Sequence, residues 1–198
     1  MKNRNQKESQ TRARDAGATR AAILEAARLV FSIHGFDGAG TRDIAQKAGC
    51  NVALINRYFG SKAELFREVM EHCIDLKPLA DVSADDLPAQ LAKIALSKQK
   101  HPSKFDPMFA AIRSSSSEDA QQIVKEEMGN PMVAELAAQL GGKDAEIRAA
   151  LILSVLAGFD VARHLIGPDA LDPANDELLQ PRLEAAIRAI LEPTKTTG

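Results

Sequence analysis

Residues 52–58 carry a mixture of side chains that is suited to reading a DNA groove. Ile55 and Phe59 are four residues apart, so both fall on one face of a helix and can anchor it to a core. The other chemically distinctive side chains fall on or near the opposite side: Val52, Leu54, Asn56, Arg57 and Tyr58. Apolar atoms can contact thymine methyl groups, while amide, guanidinium and phenol groups can contact base edges or phosphates. The spacing therefore predicts a recognition helix.

A short helix and a turn must hold this segment in place. Thr41 can cap the first helix and Asn51 can cap the second. Gly49 tolerates left-handed backbone angles, so it permits the sharp turn between them. The first helix would bury Ile44, Ala45 and Ala48. Two short helices joined by a turn that contains glycine form a helix-turn-helix, whose second helix can enter the major groove.

The segment after Phe59 predicts a further helix. Ser61 and Glu64 form a capping box, and the apolar pattern continues until Pro78. Lys62 lies in the first turn, where the helix dipole disfavours a cation, so a DNA phosphate would be a favourable partner. We expect this helix, Ser61–Lys77, to link the two halves of the molecule.

The stretch Thr41–Phe66 resembles the helix-turn-helix of the TetR family of bacterial transcriptional regulators. The residues that match the family pattern in register are Thr41, Ile44, Ala45, Ala48, Gly49, Phe59, Ser61, Lys62 and Leu65. Cys50 and Asn51 stand where the family usually has Val and Ser, and Asn56 stands where an aromatic residue is usual. The amide of Asn56 could bind a phosphate or reach a base.

The resemblance implies DNA-binding roles for individual residues. Positions that contact phosphates in the family are occupied here by Thr41, Asn56, Tyr58 and Lys62. Positions that face base edges are occupied by Arg42, Val52 and Leu54, and Asn51 completes the DNA-binding set. Arg42 would be the guanine reader.

The resemblance also implies an all-α homodimer and a function. Residues 18–64 would form an N-terminal three-helix helix-turn-helix domain, and residues 65–198 a C-terminal helical domain for effector binding and dimerisation. Members of the family usually repress transcription by binding a palindromic operator in double-stranded DNA, and they are released by a small molecule. We therefore expect a cytoplasmic repressor that a small, largely apolar ligand releases.

The charge of the chain is unevenly distributed. Residues 1–62 contain 11 Lys and Arg against 5 Asp and Glu, whereas residues 63–198 contain 14 against 22. The basic part is therefore the part that carries the helix-turn-helix, which favours contact with a polyanion at that end. Residues 1–17 are basic and contain almost no large apolar side chains, which predicts a disordered tail that could contact phosphates or the minor groove.

The C-terminal part reads as a series of helices. Residues 144–166 form the most apolar of them, and the pattern of residues 178–191 predicts a last amphipathic helix. Two such helices exceed what one subunit needs to bury, so we predict a homodimer through a four-helix interface. The alternative is a monomer in which residues 144–166 form a buried central helix.

Methionine and phenylalanine side chains in the C-terminal part are candidates for the wall of an effector pocket. These residues are Phe105, Met108, Phe109, Met128, Met132 and Phe159. Both residue types line adaptable apolar cavities, and both are equally suited to an ordinary core.

Signatures of other protein classes are missing from the sequence. The four His and two Cys residues show no metal-ligand spacing, and there is no nucleotide-binding or nucleophile motif, so we predict no metal, no cofactor and no enzyme. No run of eighteen apolar residues exists, and the N-terminus lacks an apolar signal region, so we predict no membrane association. Two alternatives remain open: a DNA-binding architectural factor without an effector, and a helical enzyme or interaction module. The sequence does not identify the effector, the operator or the regulated genes. It also does not distinguish a repressor from an activator.

Overall fold

The computed structural model describes residues 2–71, 79, 81–98 and 105–192, with side chains from residue 15 onward. In these residues the secondary structure consists of helices joined by turns and loops. The α-helices are α1 (Lys2–Gly38), α2 (Thr41–Lys47), α3 (Ala53–Phe59), α4 (Lys62–Met70), α5 (Leu87–Ser97), α6 (Pro107–Arg113), α7 (Glu118–Val124), α8 (Asn130–Leu140), α9 (Ala145–Val161) and α10 (Asp176–Leu191). Lys125–Gly129 and Ala162–Ile166 are single π-helical turns, and Asp169–Leu171 and Pro173–Asn175 are 3₁₀ turns. No β-strand occurs in these ranges, so the prediction of an all-α protein is confirmed.

By packing, the chain divides into two compact units. Unit 1 takes the described residues of 1–74 and 103–129, and unit 2 takes those of 75–102 and 130–198. The helix-turn-helix therefore shares its unit with α6 and α7, whereas the sequence places residues 65–198 in one domain. The periodicity of α6 and α7 shows that each has an apolar face, but it does not show which other helix covers that face.

Unit 1 is built on an aromatic cluster between α1 and α4. The ring of Phe31 meets that of Phe66 edge to face at 4.9 Å, and Phe36 lies 5.2 Å from Phe66. Such pairs are stabilised by their ring quadrupoles in addition to the burial of their surface. Buried beside them are Ile23, Ala27, Ile44, Ile55, Leu65, Val69 and Met70. This core fixes the position of α3, since Ile55 is one of its members.

Helix α1 starts earlier than the sequence predicts. It begins at Lys2, where the sequence predicts a disordered tail up to residue 17. Residues 2–16 are mostly Lys, Arg, Gln, Glu and Ala, which have high helix propensity, and extending an existing helix avoids the cost of nucleation. At the other end, Gly35 breaks the helical geometry with φ 66° and ψ −174°.

Helix α4 is shorter than predicted. It ends at Met70, and Glu71 has extended backbone angles, whereas the sequence predicts a helix as far as Lys77. The side chains that anchor α4 in unit 1 include Phe66, Val69 and Met70, so its buried face also ends there. The rest of the predicted helix lies in residues 72–78, outside the described residues.

The π-helical turn Lys125–Gly129 lies between α7 and α8 in the sequence, and Pro131 is the second residue of α8.

Unit 2 consists of α5, α8, α9 and α10 around an aliphatic core. Its fully buried members include Leu87, Leu136, Ile152 and Ile187. Polar side chains secure its connections: Gln139 donates a hydrogen bond to the carbonyl of Leu79. At the start of α9, Arg148 bonds to Asp144 at 2.8 Å and to the carbonyl of Gly141.

Helix α9 leaves much of its apolar surface open to solvent. Ile147 is 66% exposed and Leu151 is 51% exposed, and Leu165 and Ile166 in the following π-helical turn are also open. Among the described residues, Ala145–Ile166 is one helical stretch long and apolar enough to cross a membrane, and 22% of its most apolar window is buried. A sequence search for an unbroken apolar run does not find this stretch, because charged residues such as Arg148 and Asp160 interrupt it.

Candidate nucleic-acid interface

Helix α3 has the two-sided character that the sequence predicts. Ile55 is completely buried and Phe59 is 7% exposed, so this side anchors the helix in unit 1. On the other side, Val52 is 39% exposed, and Asn56 and Arg57 are exposed as well. Leu54 and Tyr58 are half-buried at the edges of the open face. The face therefore presents apolar, amide and cationic groups to solvent together.

The turn before α3 is formed as predicted. Gly49 adopts φ 66°, a conformation that side chains with a Cβ rarely accept. The backbone N–H of Cys50 then donates to the carbonyl of Ala45 at 3.0 Å. Asn51 accepts a hydrogen bond from the N–H of Ala53 at 2.9 Å through its side-chain oxygen, which starts α3. The NH₂ group of this exposed amide remains available for a ligand.

The start of α2 differs by one residue from the prediction. Gly40 is the N-cap, and Thr41 is the first helical residue, with no side-chain capping bond at this end. The N–H of Ile44 donates to the carbonyl of Gly40 at 3.1 Å, so the backbone alone closes the first turn. The hydroxyl of Thr41 is therefore not used as a cap. Arg42 is exposed on α2, and Thr41 is half-buried.

Lys62 has partners within the protein. Its ammonium group donates to the carbonyl of Phe36 at 2.8 Å and to that of Ala39 at 3.4 Å. It also lies 4.4 Å from the centroid of the Phe36 ring, within the range of a cation–π interaction. These contacts explain a cation in the first turn of α4 without a phosphate, because they hold α4 against the segment that follows Gly35.

The capping box of α4 is half-formed. The hydroxyl of Ser61 accepts from the N–H of Glu64 at 3.0 Å, as the S-x-x-E pattern predicts. This cap fixes where α4 starts, so the chain between α3 and α4 stays short and the two helices keep a defined angle.

Arg20 on α1 supports the end of α3. Its guanidinium carbon lies 4.8 Å from the centroid of the Phe59 ring, and one of its nitrogens contacts Glu68 of α4 at 2.5 Å. Arg20 thereby connects α1, α3 and α4 at one point. The sequence reasoning missed this role, and the only available signal was a cation just before the apolar face of α1.

The end of α1 is joined to the end of α6 by a dense set of polar contacts. The N–H of Phe36 donates to the buried hydroxyl of Ser114 at 2.9 Å, and that hydroxyl donates to the carbonyl of Ala110. Arg113 donates to the carbonyl of Ser32. Ser114 is therefore a structural link between α1 and α6.

A charged link also joins α4 to the π-helical turn after α7. Arg67 donates hydrogen bonds to Glu126, at 2.8 Å, and to Glu127. These bonds raise the pKa of Arg67. A hydrogen bond from Gln122, and then the one from Arg67, lower the pKa of Glu126 below its ordinary value of 4.5.

The six candidates for an effector pocket do not fall in one unit. Phe105, Met108, Phe109 and Met128 belong to unit 1, whereas Met132 and Phe159 belong to unit 2. Phe109 and Met128 are buried, and the other four are half-buried. Arginines lie close to three of the rings: Arg28 to Phe105, Arg113 to Phe109 and Arg163 to Phe159.

Unit 2 contains a cluster of buried charges at the end of α9. Asp160 is 8% exposed and is bonded by Lys98 at 2.6 Å and by His164 at 2.9 Å. Arg163, also buried, lies 2.8 Å from Asp176 of α10. The Lys98–Asp160 and Arg163–Asp176 pairs keep opposite charges together at the junction of α5, α9 and α10. Within the described ranges, no group of three His, Cys, Asp or Glu side chains could hold a metal ion.

Two models of known protein families match this chain. The model described as tetracyclin repressor-like, C-terminal domain, matches residues 85–191, which is more than half of the chain. The model of bacterial regulatory proteins, tetR family, matches residues 23–69 and therefore contains the whole helix-turn-helix. The chain belongs to the TetR family. The resemblance inferred from Thr41–Phe66 is confirmed.

Curated relatives of this TetR-family protein are transcriptional repressors by name. An HTH-type transcriptional repressor of Streptomyces coelicolor is 38% identical over 98 residues, which are 49% of this chain and 51% of that protein. The HTH-type transcriptional repressor NicS of Pseudomonas putida is 48% identical over 61 residues, which are 31% of this chain and 29% of NicS. The matches thus span about half or less of each relative's length. These names describe regulators of transcription and no enzyme.

Solved structures extend the similarity over most of the chain. A transcriptional regulator from Rhodococcus sp. Rha1 has 26% sequence identity and a TM-score of 0.54, and the match covers 89% of this chain and 95% of that one. A TetR-family regulator from Streptomyces coelicolor A3 has 24% identity and a TM-score of 0.56, over 88% of this chain and 95% of that one. The second likeness shows the fold alone.

Proposed function

We propose that this TetR-family protein represses transcription in the cytoplasm by binding a palindromic operator as a homodimer. A small, largely apolar ligand would release it. The observation that carries the proposal is the open face of α3, which lies opposite the buried Ile55 and Phe59 and presents Val52, Asn56 and Arg57 to solvent.

The open faces of α2 and α3 supply the groups that DNA recognition needs. Base edges would be contacted by Arg42, Val52 and Leu54, with Arg42 on a guanine, since a guanidinium can bond to O6 and N7 of that base together. Phosphates would be contacted by Thr41, Asn51, Asn56 and Tyr58. The hydroxyl of Thr41 and the NH₂ group of Asn51 suit this role, because neither serves as a helix cap.

Lys62 combines a structural role with a proposed DNA contact. An ammonium group has three N–H donors, and two of them point at the carbonyls of Phe36 and Ala39. The third can bind a phosphate. Lys62 would thus hold α4 in place and present positive charge at the interface.

The charges around α3 favour a polyanion. Arg42, Lys47 and Arg57 are all exposed, while residues 63–198 carry an excess of Asp and Glu. A duplex would therefore be attracted to the helix-turn-helix and repelled by the rest of the chain.

Dimerisation would cover the open apolar surface of α9. Ile147 and Leu151 lie one turn apart on the same face, and the more distant Ser154 and Gly158 continue this face with small residues, all of them exposed. Fully burying one such Ile or Leu is worth about 1.5–3 kcal/mol, and a two-fold interface would bury each residue twice. Leu178 on α10 is 62% exposed and is a further open apolar side chain of unit 2. We therefore assign α9 and α10 to the homodimer interface.

Effector release is explained by linkage between the two states of the dimer. A ligand that binds better to one separation of the two recognition helices shifts the dimer toward that separation. Phe159 packs against the core of unit 2, and Met132 is half-buried in the same unit. We propose these two residues as part of the effector pocket. Phe109 and Met128, buried in unit 1, serve as core.

The deciding experiment is selection of bound sequences from a pool of random duplexes. We expect a palindrome whose half-sites lie about one helical turn or a multiple of it apart, with an affinity that falls steeply as salt rises. A selected site without two-fold symmetry would contradict the dimer. A pool that shows no enrichment at moderate salt would contradict DNA binding itself.

A further inference from the structure

The first seventeen residues of α1 form a helix whose sequence is basic and lacks large apolar side chains. This N-terminal extension, residues 2–18, contains five Lys and Arg residues against two acidic ones: Lys2, Arg4, Lys7, Arg12, Arg14, Glu8 and Asp15. It has no Val, Ile, Leu, Met or Phe, and among the described side chains of α1, which begin at residue 15, the first buried one is Ile23. Apolar burial therefore does not account for its composition.

The extension begins beside the recognition helix. Two residues after its end, Arg20 lies against the ring of Phe59, the last residue of α3, and contacts Glu68 of α4. Because α1 is continuous from Lys2 to the break at Gly35, this contact fixes where the extension leaves unit 1. A duplex that received α3 would pass close to the base of the extension.

Its dimensions limit the way in which such a helix can bind DNA. An α-helix with side chains is about 10–12 Å in diameter, whereas the minor groove of B-DNA is about 6 Å wide and the major groove about 12 Å wide. The extension cannot enter the minor groove as a helix, and the major groove beside it would hold α3. The remaining partner is the sugar–phosphate backbone. At about 1.5 Å per residue, the extension is about 25 Å long, enough to follow several phosphates.

We propose that residues 2–18 are a helical arm that binds the phosphate backbone flanking each half-site. The arm adds affinity that depends on salt and not on base sequence. This inference rests on the proposed function, because it requires that α3 binds DNA. The sequence predicts a disordered tail that could contact phosphates or the minor groove. The proposal instead has a helix that contacts the phosphate backbone.

Salt dependence of binding tests the arm directly. The arm variant is Arg4→Gln, Lys7→Gln and Arg14→Gln, in which glutamine preserves helix propensity. The matched control is Lys93→Gln, Lys125→Gln and Lys143→Gln, which removes three exposed cations from other helices and loops. The affinity of each full-length protein for the selected operator is measured by fluorescence anisotropy across a salt series.

Each phosphate contact contributes about 0.9 to the slope of log K against log salt. We expect the arm variant to lower the magnitude of this slope by about 2–5 for a dimer, with the same selected palindrome and no A·T preference in its flanks. The control should keep the slope of the parent. If the slope of the arm variant stays within about 1 of the parent slope, the proposal that the arm binds phosphates is refuted. It is also refuted if the parent shows an A·T preference in the flanks that the arm variant has lost. If the parent itself selects no palindrome, it is the proposed function that fails.

Discussion

Gly35 is the residue whose replacement should most clearly reveal how unit 1 is held together. Its backbone angles, φ 66° and ψ −174°, lie in a region that essentially only glycine occupies. A methyl group added at this position would also overlap the backbone carbonyl of Arg113 at the end of α6. We therefore expect Gly35→Ala to destabilise unit 1.

The magnitude follows from two contributions. Holding a residue with a Cβ in this region costs about 1–3 kcal/mol. Moving the Arg113 carbonyl away also disturbs the adjacent bond from the N–H of Phe36 to Ser114, and a hydrogen bond of this kind is worth about 1 kcal/mol. The sum is about 2–4 kcal/mol. For a chain of this size it corresponds to a fall in Tm of roughly 5–15 °C.

The matched control is Gly17→Ala in the same helix. Gly17 is helical, and a methyl group there would meet nothing within 4 Å. Alanine at a helical position is more stable than glycine by about 0.5–1 kcal/mol, so this variant should melt at or slightly above the parent temperature. Thermal unfolding followed by circular dichroism measures both. If the two variants melt at the same temperature, the conformation and contacts described for Gly35 are wrong.

Two further predictions concern other contacts. The lowered pKa of Glu126 means that its contribution to stability is present above its ordinary value of 4.5 and is lost as the pH falls through the lowered pKa. Wild type should therefore have a higher Tm than Glu126→Gln at pH 7, and this difference in Tm should disappear as the pH falls below 4.5. A difference in Tm that stays constant down to pH 3 would contradict this prediction. Leu151→Glu places a charge on the open face of α9, so sedimentation should show monomers at concentrations where wild type is dimeric, while Glu146→Gln, an exposed change on the same helix, should leave the dimer intact. If Leu151→Glu is still dimeric, the assignment of α9 to the dimer interface is wrong.

Local sequence patterns were sufficient to predict helix α3 and its buried and open sides. Ile55 and Phe59 are buried because their spacing puts them on one face, Ser61 caps α4, and the side chain of Asn51 accepts a hydrogen bond from the first residue of α3. Each of these relationships extends over at most four residues. The chemistry of the open face could therefore be proposed before the fold was known.

Contacts between distant parts of the chain could not be predicted in this way. Lys62 and Phe36 are 26 residues apart, Arg20 and Glu68 are 48 apart, and Phe36 and Ser114 are 78 apart. No periodicity relates the partners of such pairs. For the same reason the sequence did not show that α6 and α7 pack in one unit with the helix-turn-helix.

The N-terminal extension illustrates a different limit. Low hydrophobicity and high charge are typical of disorder, yet the same Lys, Arg, Gln and Glu residues have high helix propensity. The extension is helical because it continues the rest of α1, whose buried face supplies the helix nucleus. A separate peptide of this length would lack such a nucleus.

The most direct test of the central claim adds one negative charge to the open face of α3. Asn56→Asp changes an exposed amide into a carboxylate of the same shape, and Gln90→Glu makes the same change on the exposed side of α5. Affinity for the selected operator is measured by fluorescence anisotropy at fixed salt, with thermal unfolding as a check on the fold. We expect Asn56→Asp to weaken binding by about 10- to 100-fold, corresponding to roughly 1–3 kcal/mol, and Gln90→Glu to bind within about twofold of the parent. Equal affinities for the two folded variants would contradict the assignment of α3 as the element that reads DNA.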